Sequence, residues 1–209
     1  NIRANATSYV VEYATNATFT TGLVTVPGVT GNSYVASGLA PNTRYYFRVR
    51  AVNTIGTSGN SATVNAWTLA NAVVDAPVVS TAGVVAGTQV KLNWVASVGG
   101  ASSYVVQQSS NGGGSWTNST VIAQVPATPT GVTVTGLAGQ TAYKFRVLAR
   151  NGANVAAAPS AVADTVTLLA EPTAITAANG ISGGLVTGGL NFTSNNGGAV
   201  TYELRYGVN

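Results

Sequence analysis

The segment Gly38-Leu39-Ala40-Pro41-Asn42-Thr43-Arg44-Tyr45-Tyr46-Phe47-Arg48-Val49-Arg50-Ala51-Val52-Asn53 returns as Gly136-Leu137-Ala138-Gly139-Gln140-Thr141-Ala142-Tyr143-Lys144-Phe145-Arg146-Val147-Leu148-Ala149-Arg150-Asn151, each position shifted by 98. A recurrence at a fixed interval restricts the chain to a tandem of like units, each one a repeat of the same supersecondary plan. Within each copy the apolar residues alternate. Tyr45, Phe47, Val49 and Ala51 share one face, and Tyr46, Arg48 and Arg50 the other. A period of two is the signature of a strand that packs on a core by one face only. The units are therefore small β domains.

Composition narrows what such units can do. The chain has 209 residues, enough for two domains of about 100 residues each. Only 7% of residues are charged and 45% are hydrophobic, the reverse of the disordered signature. No apolar run approaches the roughly 18 residues that a membrane-crossing helix needs, and the start of the sequence carries no leader pattern. Cys, Met and His are absent, so each unit is expected to be held by its core without disulfides. Without His or Cys there is no Ser-His-Asp triad, no thiol nucleophile and no zinc site of the usual ligands. The acidic residues are Glu12, Asp75, Asp164, Glu171 and Glu203. They are too scattered for the carboxylate pair of most glycosidases or for an ordinary calcium site. The chain is expected to be no enzyme and to need no cofactor. Nine basic residues give a net charge of +4, a field too thin for nucleic acid. An Asn/Thr/Gly-rich surface of low charge has little self-repulsion and suits a matrix or surface layer.

The second unit can be followed from end to end. Ala76-Pro77 opens it, and Val90-Lys91-Leu92-Asn93-Trp94 and Ser103-Tyr104-Val105-Val106-Gln107 alternate as strands. Asn111-Gly112-Gly113-Gly114 carries hairpin chemistry, and Val132-Thr133-Val134 leads into the repeated segment. Ala161 to Thr167 closes the unit. Seven short strands of this kind predict a two-sheet sandwich. The pattern resembles the fibronectin type III domain, through Trp94, Tyr104, and the run Leu137, Thr141, Tyr143, Phe145, Val147, Ala149 and Asn151. The resemblance implies an all-β chain of tandem seven-stranded, immunoglobulin-like sandwiches. It also implies a tyrosine corner made by Leu39 with Tyr45 and by Leu137 with Tyr143, and a core aromatic at Trp94. Phe192 stands at the matching position of a further copy, where Leu190-Asn191-Phe192 echoes Leu92-Asn93-Trp94.

Three regions follow: a unit over 1–68 lacking its first two strands, a complete unit over 76–168, and the opening strands of a further unit over 170–209. Third-strand tyrosines recur at Tyr9, Tyr104 and Tyr202. Because both partial units contain a third strand, a covalently continuous array is expected in preference to strand donation between neighbours. Leu168-Leu169-Ala170-Glu171-Pro172 predicts a packed, semi-rigid joint, and Val73-Val74 in the longer connection from Leu69 to Pro77 is expected to pair with a domain end.

Some residues admit two readings. Arg44, Arg48, Arg50, Lys144, Arg146 and Arg150 form a basic stripe that would suit acidic polysaccharide or anionic surfaces; the plainer expectation is cross-strand pairing, with Glu12 opposite Arg48. Trp67 and Trp116 lie away from the core position. They would either stack on glycans or a neighbouring copy, or pack at the unit joint and at the hairpin. Ser109 to Trp116 looks like the Asp-box turn of sialidase-type propellers with Asn111 for Asp, and otherwise is a glycine hairpin. Four Asn-X-Thr matches are what chance gives in so Asn- and Thr-rich a chain, and no Arg-Gly-Asp occurs. The expected function is a structural or adhesive module of an extracellular or cell-surface bacterial repeat protein, built into a fibre or matrix. Expected partners are its own kind or neighbouring repeats, with polysaccharide or a cell surface as further partners. The alternative is a spacer array in a secreted carbohydrate-active enzyme.

Overall fold

The computed structural model describes residues 6–80, 87–123 and 131–168, with 120–123 as backbone only, and the backbone of four short strands at 175–177, 181–182, 185–186 and 190–192. The described residues are all-β. The first unit is one antiparallel sheet in the order β2-β1-β3-β4, from β1 (Ser8–Ala14), β2 (Val24–Val29), β3 (Arg44–Val52) and β4 (Val64–Trp67). The second unit has seven strands in two sheets. One is β5-β6-β9, from β5 (Val78–Ser80), β6 (Val90–Asn93) and β9 (Gly131–Val134). The other is β11-β10-β7-β8, from β7 (Ser103–Ser109), β8 (Thr117–Ala123), β10 (Ala142–Arg150) and β11 (Ala163–Val166). The sandwich expected for this unit is thus formed.

The core of the second unit lies between those sheets. Tyr143, Phe145, Val147 and Ala149 of β10 are buried, and they meet Leu92 and Trp94 from the end of β6 and Tyr104 and Val106 from β7. Trp94 stands edge-on to Tyr104 with ring centroids 5.6 Å apart, a favoured arrangement because a ring edge carries positive and a ring face negative charge. The turn from β7 to β8 runs through Gly112 and Gly113 at φ of 74° and 97°, a backbone that an L side chain would strain. The connection between the units is not slack. Ala70 and Val73 are buried in the second unit's core, and the Ala161 amide donates to the Val74 carbonyl. Of the pair expected at a domain end, Val73 supplies the apolar contact and the Val74 side chain stays exposed.

In the first unit the same alternation meets a different environment. Val49 of β3 is 37% exposed where Val147 of β10 is fully buried. The cause is the missing second layer: no described strand of this unit faces the sheet. Residues 33–36, which match β9 at the shift of 98, lie outside any strand. β9 itself pairs only with β6, and among the described residues of the first unit no strand stands in the place of β6 for this segment to join. Tyr13, Tyr45 and Phe47 cluster with ring centroids 5.8 to 6.5 Å apart and supply a partial core.

Beyond the second unit, β12 (Ile175–Ala177) pairs with β15 (Leu190–Phe192), and β13 (Ile181–Ser182) with β14 (Leu185–Val186). The β12–β15 pair repeats the antiparallel arrangement of β5 with β6. The Phe192 side chain, Tyr202 and most of the Leu168–Pro172 joint lie outside the described residues.

Trp94 is 5% exposed. Trp94→Ala is expected to cost about 3–5 kcal/mol by leaving a cavity between the sheets; a urea titration checks this, and a loss below about 1 kcal/mol would contradict the packing.

Candidate interaction surfaces

Each tyrosine corner is a closed set of hydrogen bonds that appears twice. The Ala40 amide donates to the Tyr45 hydroxyl at 3.1 Å, and the Ala138 amide to the Tyr143 hydroxyl at 3.1 Å. The phenol oxygen is the acceptor, so the bond satisfies a loop N–H that β pairing leaves free. Gly38 and Gly136 open the two loops at φ of 69° and 72°. Leu137 is buried, whereas Leu39 is half-buried because its side chain lines the open face of the first unit. A threonine that the sequence pattern does not single out completes each corner. Thr68 Oγ1 accepts from the Thr43 amide at 2.9 Å and donates to the Ala40 carbonyl at 2.7 Å; Thr167 makes the same bonds to Thr141 and Ala138 at 2.9 and 2.6 Å.

The six basic side chains of the stripe all have partners. Glu12, 7% exposed at its side chain, takes Arg48 Nε and Arg50 Nη2 on separate carboxylate oxygens, each at 2.7 Å. Arg44 donates to Asn65 at 3.0 Å and lies over the Tyr46 ring. Lys144 pairs with Asp164. Arg146 donates to Gln107 at 2.8 Å and Arg150 to Asn154 at 3.1 Å. Cross-strand registry sets these pairs, since Glu12 stands opposite Arg48 and Gln107 opposite Arg146. An arginine over an aromatic ring also recurs: Arg48 lies 3.9 Å from the Phe19 ring centroid and Arg146 4.1 Å from that of Trp116. A guanidinium on the ring face is a favourable cation–π contact. It also occupies a face of Trp116 that a sugar would otherwise use.

The loop before Trp116 is closed by its own side chains. Asn111 Oδ1 accepts from the Ser115 amide at 3.0 Å and from the Ser109 hydroxyl at 2.7 Å, while Asn111 Nδ2 donates to Ser115 Oγ at 2.8 Å. Trp67, at the end of β4, is half-buried and lies against Gly152 of the second unit. The six basic residues and Trp116 occupy the outer sheet faces, while Trp67 is at the joint.

The open face of the first unit forms a groove of about 510 Å³ lined by Tyr9, Val11, Tyr34, Leu39, Phe47 and Val49, among others. Desolvation, and then the neighbouring Tyr34 and Tyr45, push the Tyr13 phenol above its ordinary value. Among the described residues no three His, Cys, Asp or Glu side chains cluster as metal ligands would.

Comparison with known proteins places this geometry. The model of the fibronectin type III domain matches residues 2–67 and 75–166. Endoglucanase B of Cellulomonas fimi is 35% identical over 196 residues, which is 87% of this chain but 17% of that protein's length. The two-domain fibronectin type III segment of chicken tenascin superposes with a TM-score of 0.52 at 14% identity, covering 80% of this chain and 87% of that one; at that identity the likeness is one of fold.

Two substitutions probe these surfaces. Tyr143→Phe keeps the ring and removes the acceptor, so unfolding free energy is expected to fall by about 0.5–1.5 kcal/mol; an unchanged denaturation midpoint would assign the corner no energetic role. Glu12→Gln leaves two arginines with no counter-charge at a largely buried site, with an expected loss of about 1–3 kcal/mol after allowing for partial solvent access. Chemical denaturation of the variant beside the parent measures it.

Proposed function

The chain belongs to the fibronectin type III family, and we propose that it is a non-enzymatic structural or adhesive module of an extracellular repeat protein, with its sandwiches strung as spacers in a fibre or surface matrix. The observation that carries this reading is the connection between the units. With Ala70 and Val73 buried in the second core, the two units are set in series without a free tether. Chemistry on the outer faces agrees. The basic groups of the stripe are engaged by neighbours on their own unit, and a surface with few unpaired charges lets copies or neighbouring repeats approach laterally at little electrostatic cost. A further contact to polysaccharide or a cell surface would use the same faces.

A second reading has an observation of its own. The likeness to an endoglucanase, of which this chain matches only 17%, supports a spacer between other parts of a secreted carbohydrate-active enzyme. Sedimentation velocity over a range of concentrations, with negative-stain imaging, separates the two. Assemblies that grow with concentration are expected for the matrix reading, and a chain that stays single throughout favours the enzyme spacer. An assay for reducing ends on carboxymethylcellulose is expected to show no release; steady hydrolysis by the purified chain would overturn both.

A further inference from the structure

The spacer reading leaves open whether the two units swivel. We infer that their joint is a rigid, keyed interface, in which the end of the first unit bearing Pro41 and Trp67 fits the end of the second unit bearing Gly99 and Gly152. Two close approaches define the key. A Cβ built on Gly152 would overlap the Trp67 ring, and one on Gly99 would overlap the Pro41 ring. Both glycines are therefore required by the opposite unit, and the Gly99 backbone, at φ of 79°, is itself one that L residues rarely adopt.

Polar bonds fix the rotation of one unit on the other. Asn151 Nδ2 donates to the Thr68 carbonyl at 3.1 Å, Ser102 Oγ to Asn42 Oδ1 at 3.0 Å, and Asn71 Nδ2 to the Val98 carbonyl at 2.8 Å. Asn151 is 2% exposed. Its Oδ1 already accepts from the Ala153 and Val155 amides, so the bond to Thr68 gives its buried amide nitrogen a partner. Breaking the joint would leave that nitrogen to find another, which opposes a hinge motion.

The repeat shows that the key is selective. Thr54 stands where the second unit has Gly152, and Gly139 where the first has Pro41. Aligning Thr68 with Thr167, which make matching bonds, puts Val166 in the place of Trp67. The first unit's own upper turn thus carries a side chain where the Trp67 ring needs bare backbone. An end of the Trp67 kind pairs with an end of the Gly152 kind and not with the first unit's.

Distance measurement between spin labels tests this directly, since the chain has no cysteine of its own. Thr25→Cys in β2 and Thr117→Cys in β8 place one exposed label on each unit. A single narrow distance distribution is expected for the parent; a broad one would overturn the inference. Gly152→Val is expected to abolish the narrow peak, and Trp67→Ala in that background, where the valine fills the space the ring vacates, to restore it. A narrow peak that survives Gly152→Val would overturn the keyed contact. If Gly152→Val lowers the melting of the second unit, Trp67→Ala alone, which adds no bulk, carries the test, with broadening expected and an unchanged peak against it. The readout is intramolecular, so the joint can be found rigid even if the chain forms no matrix, and slack even if it does.

Discussion

Burial of one apolar sheet face by a second sheet is the interaction on which the rest of this chain depends. The same alternating strand occurs twice, and its fate is decided by what lies across from it. In the second unit β5, β6 and β9 cover β10, and the row Tyr143, Phe145, Val147, Ala149 leaves water almost completely. In the first unit no described sheet covers β3, and Val49 keeps more than a third of its surface. The apolar area removed from water supplies the main driving force for such sandwiches. The two units thus share a hydrogen-bonded plan but not a core.

Much of that plan was legible in the sequence, because it is local. Period-two alternation marked β3 and β10, the Asn-Gly run marked the β7–β8 turn, the family resemblance implied the corner tyrosines, and the alternating outer faces put Glu12 opposite Arg48. The rest depends on partners distant in the chain. Thr68 and Thr167 close the corners from 25 or more residues away, and a lone threonine has no periodicity to betray it. Trp67 was placed between glycan stacking and the joint; only Gly152, far along the chain, accounts for where its ring lies. The unpaired state of residues 33–36 could not be inferred from a segment that reads like β9, since a strand exists only where a neighbour offers a ladder. In the corner bond the tyrosine hydroxyl accepts, because the loop amide is the group in need.

Few charges are present, and those that β1, β3, β10 and β11 carry on their outer faces work close to home. Glu12 binds two arginines in the first unit, while the second carries Gln107 at the matching place and bonds Arg146 as a neutral acceptor. The arginine–aromatic stack is kept in both, with Phe19 in one and Trp116 in the other. What the repeat preserves is thus a guanidinium anchored over a ring, and the counter-charge is the part that varies. Screening by salt weakens exposed ion pairs more than such stacked and partly buried ones, so this face changes little with ionic strength.

The corner threonine has a mechanical consequence. Thr68 is the last residue of the first unit before the chain crosses to the second, and its amide and hydroxyl together bond Thr43 and Ala40 across the corner. Tension drawn through the connection therefore reaches several bonds at once, loaded in parallel, before it can peel β4 away from β3 one rung at a time. Bonds sheared together resist far more force than bonds unzipped in sequence. Thr167 makes the same attachment where the second unit ends, so each unit is moored at its exit, and a pull along the chain is carried by the corner instead of by the edge strand.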